Sequence, residues 1–333
     1  MLRIGVIGYG YWGPNIVRNF MDNDQSEVVM VCDKNQTALN RVKKRYPNIE
    51  TTKEVRDIFS SAKIEAVAIV TPVSSHFDMA KQALESGKHI FVEKPFTATA
   101  AQAEELIALA EKKNLKIAVD HTFLFSGAVK EIKNLIDSGK LGKLYYYDSI
   151  RVNLGLFQHD INVIWDLAPH DLSIMDYLVG EEPTAFVATG KAHVNSEESV
   201  SYITAYFNNN IIAHFNLNWL SPVKIRLTLI GGEKKMVVWN DVVADEKIKV
   251  YDKGVEVKST NGIRDLLVSY RSGDVWIPRV DQTEALKLAA ESFIQYILDN
   301  KTPINSGYTG LRIVKMLEAC NKSVKDNGKM VRL

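Results

Sequence analysis

The sequence predicts an α/β protein in which a doubly wound parallel sheet is followed by a second α/β domain on a mostly antiparallel sheet. Three observations predict it. Strand and helix patterns alternate over the first 120 residues. The first strand runs into a glycine-rich turn that opens a helix. After about residue 125 the rhythm changes to repeated strands with little helix between them. A length of 333 residues fits about two domains. No linker or repeat marks a boundary, so the change of pattern sets it, giving domains 1–122 and 123–333.

Each element has a local reason. Residues 2–7 form an apolar strand ending in glycines. Pro14 starts a helix over 14–20, its fixed φ suiting a first turn. Residues 27–32 are the next strand, and 35–45 a charged helix closed by Pro47. A third strand, 64–70, ends at Thr71-Pro72 and leads into a helix over 75–86, with Gly87 where a C′ glycine belongs. Residues 89–92 are a strand. Thr99 and Gln102 form a capping box for a helix to Lys113, and 116–119 is a further strand. Alternation at this spacing implies parallel strands with right-handed crossovers. Beyond it come a helix over 128–137, a long strand over 144–153 and a helix over 161–179. Strands fill 184–257, with turn clusters at 208–210, 231–232 and 252–254. Ile225, Leu227 and Leu229 alternate with Lys224, Arg226 and Thr228, predicting a sheet packed on one face and polar on the other. Helices over 283–298 and 309–324 close the chain.

Composition narrows the function. Hydrophobic residues at 46% and charged residues at 24% exclude a disordered or low-complexity chain. Lys+Arg of 41 against Asp+Glu of 40 leaves +1, with no excess to neutralise a nucleic acid backbone. Cys32 and Cys320 are too few for a disulfide framework or a structural zinc site, and no metal is expected. No apolar run approaches the roughly 20 residues that cross a bilayer, and the N-terminus has no signal-like basic and apolar regions. These features predict a cytoplasmic protein.

Gly8-Tyr9-Gly10-Tyr11-Trp12-Gly13 is a GxGxxG between a strand and a helix, the context in which that motif cradles a dinucleotide pyrophosphate. Asp33 ends the second strand 20 residues after Gly13, placed to accept ribose hydroxyls and repel a 2′-phosphate. NAD is favoured over NADP, although Lys34 could pair with a phosphate. Thr71-Pro72 ends the third strand, where loops line a cofactor crevice, and His76 follows just past a helix start. Glu93-Lys94-Pro95 follows the strand 89–92, so Lys94 is placed to stabilise a developing alkoxide, with Glu93 as a nearby charge partner. Asp166, His170, Ser173 and Tyr177 share one helical stripe, with Asp166 and His170 one turn apart. Pro169 should kink that helix or make it restart, leaving His170 in a new first turn where neutral imidazole, a general base, is favoured. His121 follows another strand end. By residue type alone, each charged pair could equally be a solvated surface pair.

Taken together, the glycine turn at 8–13, Asp33, Thr71-Pro72, Glu93-Lys94-Pro95, Asp166-x-x-x-His170 and Gly310-Leu311-Arg312 resemble the Gfo/Idh/MocA oxidoreductases over the whole length. The resemblance implies an N-terminal Rossmann domain that binds NAD and a C-terminal α/β domain with a large open sheet. The cofactor would lie between them, and the outer sheet face would join a homodimer or homotetramer. It implies Lys94 and His170 as the catalytic pair, with Asp166 holding sugar hydroxyls. His170 is assigned as base and Lys94 as oxyanion stabiliser, the reverse remaining open. Residues 11–20 and 151–158 resemble a nucleotide-sugar branch, nearest to UDP-N-acetylglucosamine 3-dehydrogenases, which oxidise the sugar 3-hydroxyl. Arg151 would then pair with a diphosphate, and Asn153 and Gln158 would bond sugar groups. Val73 and Phe125 depart from the family pattern, which often has a polar residue and an arginine there. Three alternatives stay open: a free-sugar or inositol dehydrogenase, an NADPH-dependent 3-keto-sugar reductase, and a non-catalytic dinucleotide-sensing regulator.

Overall fold

The computed structural model describes residues 1–155, 161–258 and 267–333. The chain forms two compact units, Met1–Phe125 with Thr283–Glu318 and Ser126–Gln282 with Ala319–Leu333. The first opens with β1 (Leu2–Ile7), α1 (Gly13–Met21), β2 (Ser26–Cys32), α2 (Gln36–Arg45), β3 (Glu50–Thr52) and α3 (Val55–Ser60). It continues with β4 (Ala66–Ile69), α4 (His76–Glu85), β5 (His89–Val92), α5 (Ala100–Lys112) and β6 (Ile117–Val119). All six strands are parallel, in the order β3-β2-β1-β4-β5-β6. This is the doubly wound Rossmann order, with its switch point between β1 and β4. Helices cover such a sheet on both faces, so its strands read as apolar runs; every residue of β4 is buried. Asn35 caps α2 through the Thr37 amide at 2.8 Å. Thr99 caps α5 through Gln102 N at 3.3 Å, while Gln102 Oε1 accepts from Ala98 N rather than from the cap residue itself. β3 and α3 carry no periodic signal in the sequence, being too short to show one.

The second unit begins with α6 (Gly127–Asp137), β7 (Leu144–Leu154) and α7 (Val163–Val179). Then come β8 (Ala185–Lys191), β9 (Val200–Tyr206), β10 (Ile212–Asn218), β11 (Leu220–Gly232), β12 (Met236–Asn240), β13 (Ile248–Lys258) and β14 (Leu267–Trp276). α8 (Ala285–Leu298), α9 (Gly307–Lys325) and β15 (Val331–Arg332) end the chain. Nine strands lie in the order β14-β13-β12-β11-β7-β10-β9-β8-β15, antiparallel except for the β7–β10 pair.

α7 packs on β7, β9 and β10. The buried face of the sheet carries Tyr147, Ser149 and Arg151 of β7, Ala213, Phe215 and Leu217 of β10, and Thr228 and Ile230 of β11. Ile225, Leu227 and Leu229 lie on the open face and stay partly exposed, the reverse of what their alternation with polar residues suggests. Of the polar row, Lys224 stays exposed, Thr228 is buried, and Arg226, partly buried, pairs with Asp241 at 3.4 Å. Gly231-Gly232 belongs to β11, not to a turn. Tyr146 of β7 covers Gly231, where an added Cβ would come within 2.1 Å of its ring. Asp252-Lys253-Gly254 stays inside β13, at a register shift after Tyr251.

The expected restart at Pro169 does not occur: α7 runs unbroken through it. Asn162 caps its start by accepting from Trp165 N at 3.1 Å, and Gly180 ends it in the left-handed region at φ 72°. Burial of Ile164, Trp165, Ala168, Leu172 and Met175 outweighs the single backbone hydrogen bond that proline forfeits. His170 therefore sits in mid-helix, and the helix-end argument for a neutral imidazole does not apply.

α8 returns to the first unit. Leu286, Ala290, Phe293 and Ile294 join one apolar cluster with Val6, Val31 and Phe91. The Phe293 ring lies 6.2 Å from that of Phe20 and 5.5 Å from that of Phe91. Among the described residues no helix is long and apolar enough to cross a membrane.

Candidate active site

The glycine turn is shaped as the motif requires. Gly8 has φ +99°, and an added Cβ there would meet Val70 O at 2.3 Å. A Cβ on Gly13 would meet Gly8 O at 2.6 Å, so the helix start packs directly on the turn. Gly10 faces open space within 4 Å, the one of the three whose missing side chain leaves room for a ligand rather than for the fold. No side chain caps α1 and no acid occupies its first turn, so its N-terminal dipole is uncompensated. Asp33 Oδ2 accepts from Tyr9 N at 2.6 Å and Oδ1 from Asn35 N at 2.7 Å. The carboxylate is thereby fixed beside the turn, with lone pairs remaining for ribose hydroxyls. These features fit a dinucleotide. Tyr11, 87% exposed, and Lys34, also exposed, project outward.

The ends of β4, β5 and β6 carry the next group. His76 is fully buried, with Nδ1 2.8 Å from Pro95 O and Nε2 2.7 Å from Thr71 O, so it ties the Thr71-Pro72 turn to the Glu93-Lys94-Pro95 turn. Burial lowers its pKa, and the neutral ring donates to one of those carbonyls.

Glu93 does not simply offset Lys94. The Asp120 side chain, at the end of the neighbouring strand β6, sets a second carboxyl beside it. Burial, and next the Asp120 charge, raise the Glu93 pKa well above the usual carboxylate range, with Lys94 opposing. Asp120 also takes Trp12 Nε1 at 3.0 Å and the Thr122 hydroxyl. It thus joins the glycine turn to the lysine strand. Sequence reasoning missed Asp120. An acid at a strand's C-terminal end was its only signal.

His121 follows, 1% exposed, and among the described residues neither ring nitrogen has a hydrogen-bond partner. Burial, with Lys94 and Arg312 adding to it, brings its pKa down to about 3. A neutral imidazole offers one donor and one acceptor, and a polar ligand would satisfy both.

In the second unit, Asp166 and His170 are both partly exposed on α7, one turn apart. Asp166 Oδ2 accepts from Trp219 Nε1 at 3.1 Å. Arg151 is buried, and two of its donors are taken within the chain. Its Nε reaches Asp171 Oδ2 at 2.6 Å and its Nη2 reaches Oδ1 at 3.1 Å, with both side chains buried. Asn153, two residues on along β7, is partly buried. Gln158 lies outside the described residues.

Comparison with known proteins agrees with this geometry. Residues 2–121 match the family described as "Oxidoreductase family, NAD-binding Rossmann fold", and residues 129–237 match the GFO/IDH/MocA C-terminal domain. The chain belongs to the Gfo/Idh/MocA oxidoreductases. Its cofactor is NAD and its reaction class is that of a dehydrogenase. Among relatives, UDP-N-acetylglucosamine 3-dehydrogenase of Acidithiobacillus ferrooxidans is 26% identical over 327 residues, 94% of each chain. The solved structure of that enzyme has a TM-score of 0.80 at 24% identity, covering 98% of each chain. An uncharacterized oxidoreductase of Escherichia coli, YdgJ, is 29% identical over 64% of each chain, less than two thirds of its length. The NAD-dependent scyllo-inositol 2-dehydrogenase of Bacillus subtilis is 26% identical over 71% of this chain and 73% of its own. Within this Gfo/Idh/MocA protein, the second unit corresponds to the family's C-terminal domain from α6 to the start of β12.

Proposed function

We propose that the protein is an NAD-dependent dehydrogenase of a nucleotide-linked sugar, acting at the 3-hydroxyl. The observation that carries the reading is that one chain holds the Gly8–Gly13 cradle with Asp33, the strand-end lysine Lys94, and Asp166 with His170 on one face of α7. Near full-length similarity to a UDP-N-acetylglucosamine 3-dehydrogenase supports the substrate class. NAD, when bound, supplies the hydride acceptor for the carbinol carbon. Gly10 and the amides at the start of α1 hold its pyrophosphate, and Asp33 holds the ribose. Thr71 and Pro72 line its crevice, while His76 keeps that turn in place. The Lys94 ammonium stabilises negative charge on the reacting oxygen. His170 takes the hydroxyl proton as the carbonyl forms, and Asp166, oriented by Trp219, accepts sugar hydroxyls. His121 and Asn153 complete the polar lining. The first unit serves the cofactor and the second serves the substrate. The second unit's open sheet face, with Tyr202, Ile212 and Leu227 on it, joins copies of the chain.

The scyllo-inositol 2-dehydrogenase relative favours a second reading, a free polyol as substrate. Presence of both Lys94 and His170 argues against a non-catalytic sensor. The test is NADH formation from UDP-N-acetylglucosamine, other nucleotide sugars, free sugars and scyllo-inositol. The expected result is turnover with a nucleotide sugar, falling about 10²–10³-fold in Lys94→Ala with NAD binding retained. Turnover with free polyols alone would replace the reading by the second one. NAD binding without turnover on any substrate would replace it by a sensor.

A further inference from the structure

We infer that Arg151 and Asp171 are positioning residues for His170: a buried, bidentate ion pair ties the turn of α7 that carries the imidazole to β7, the middle strand of the second sheet. The inference rests on the reading of His170 as the base. α7 is weakest one residue before His170. Pro169 has no N–H for the Trp165 carbonyl, and its ring crowds that carbonyl. One residue after His170 the helix is fastened from outside. Asp171 takes three hydrogen bonds from β7: Arg151 Nε at 2.6 Å, Arg151 Nη2 at 3.1 Å and Ser149 Oγ at 3.0 Å. Ser149 and Arg151 are two residues apart on one strand, so both face the helix. The ion-paired side chains are 6% and 4% exposed. A second fastening lies one turn before His170, where Trp219 Nε1 meets Asp166 Oδ2 at 3.1 Å.

Stability alone does not call for an ion pair here. Apolar residues of similar bulk fold about as well in such a place, because desolvating two charges offsets most of their attraction. What an apolar pair lacks is direction. A fork of two parallel N–H···O bonds fixes both the distance and the rotation of the helix turn relative to the strand. A general base needs its nitrogen held to a fraction of an ångström, and misplacement by about 1 Å costs on the order of 100-fold in rate.

The experiment compares the full-length protein with Arg151→Met/Asp171→Leu, Arg151→Lys and His170→Asn, all loaded with NAD. Histidine NMR reads the imidazole without needing a substrate, the His170 signal being the one lost in His170→Asn. In the double variant the His170 signal should shift and broaden while the others stay. With the best nucleotide sugar of the panel, kcat should fall about 100-fold with KM within about threefold. Arg151→Lys, which keeps the charge but not the fork, should fall between wild type and the double variant on both measures. If the double variant does not fold, Arg151→Lys carries the same two measurements. An unchanged His170 signal, or full turnover, in a folded variant overturns the inference. Full turnover in His170→Asn would instead remove His170 as base, and the histidine spectrum would still decide whether the pair positions it.

Discussion

Two of the places where the described residues bury a carboxylate treat it by opposite means. At the ends of β5 and β6, burial and the Asp120 charge push Glu93 toward its protonated form. Under α7, Asp171 meets a guanidinium and a hydroxyl. The first arrangement sets carboxyl against carboxyl; the second sets a carboxylate against an opposite charge. The difference teaches where a raised carboxyl pKa enters the proposed chemistry: beside Lys94.

The largest expected effect breaks the second arrangement. Arg151→Ala leaves Asp171 buried with no counter-charge and should cost about 3–5 kcal/mol in urea unfolding. Arg151→Met/Asp171→Leu should recover most of that loss, since no charge is then left unpaired. A loss in the double variant as large as in the single one would mean that the side chains' packing, not their charge, matters there.

The next effect sharpens the first arrangement. Glu93 has a raised folded pKa, so it binds its proton more tightly folded than unfolded. Its contribution is complete below the ordinary 4.5 and is lost as pH rises through the raised value. His121 has the opposite sign. Its folded pKa is about 3 against an ordinary 6.5, so its contribution is complete above 6.5 and is lost as pH falls toward 3. Where the two windows overlap, above pH 4.5, the two slopes oppose one another. Glu93→Gln should therefore lose stability as pH falls through that window, and His121→Asn should lose it as pH rises. Urea midpoints at several pH values check both. The same direction in both variants would break the assignment of the raised pKa to Glu93.

The smallest effect concerns Asp166. Trp219→Phe removes one hydrogen bond, of about 1 kcal/mol, together with part of a fully buried indole, so sugar KM should rise about fivefold and stability should fall as well. An unchanged KM would show that Asp166 needs no such orientation.

Much of the fold can be read from the chain because its signals are local. The glycines at 8, 10 and 13 each act on neighbours within a few residues or on the adjoining strand, and caps such as Asn35 and Thr99 act within one turn. What resists reading is decided by distant partners. Asp120 gains its meaning from Trp12 and Glu93, 108 residues and one strand away respectively. Arg151 looks like a free cation until Asp171, 20 residues on, comes to lie against it. Gly231-Gly232 reads as a turn because nothing local reveals that the Tyr146 ring fills the space of the missing side chain. Leu227 reads as core because pattern alone cannot tell that its sheet face is left open. Pro169 reads as a breaker because burial of the helix around it does not show in the residue itself.

The division of the first unit has a consequence for how the chain is made. Met1–Phe125 emerges from the ribosome well before Thr283–Glu318, with 157 residues of the other unit between them. At translation speeds of about 5–20 residues per second, that is a wait of roughly 8–30 s. During it, Phe20 and Phe91 lack the ring of Phe293 that will pack beside them. A newborn chain must therefore carry an unfinished nucleotide-holding half through most of its synthesis, a natural moment for a chaperone to engage it.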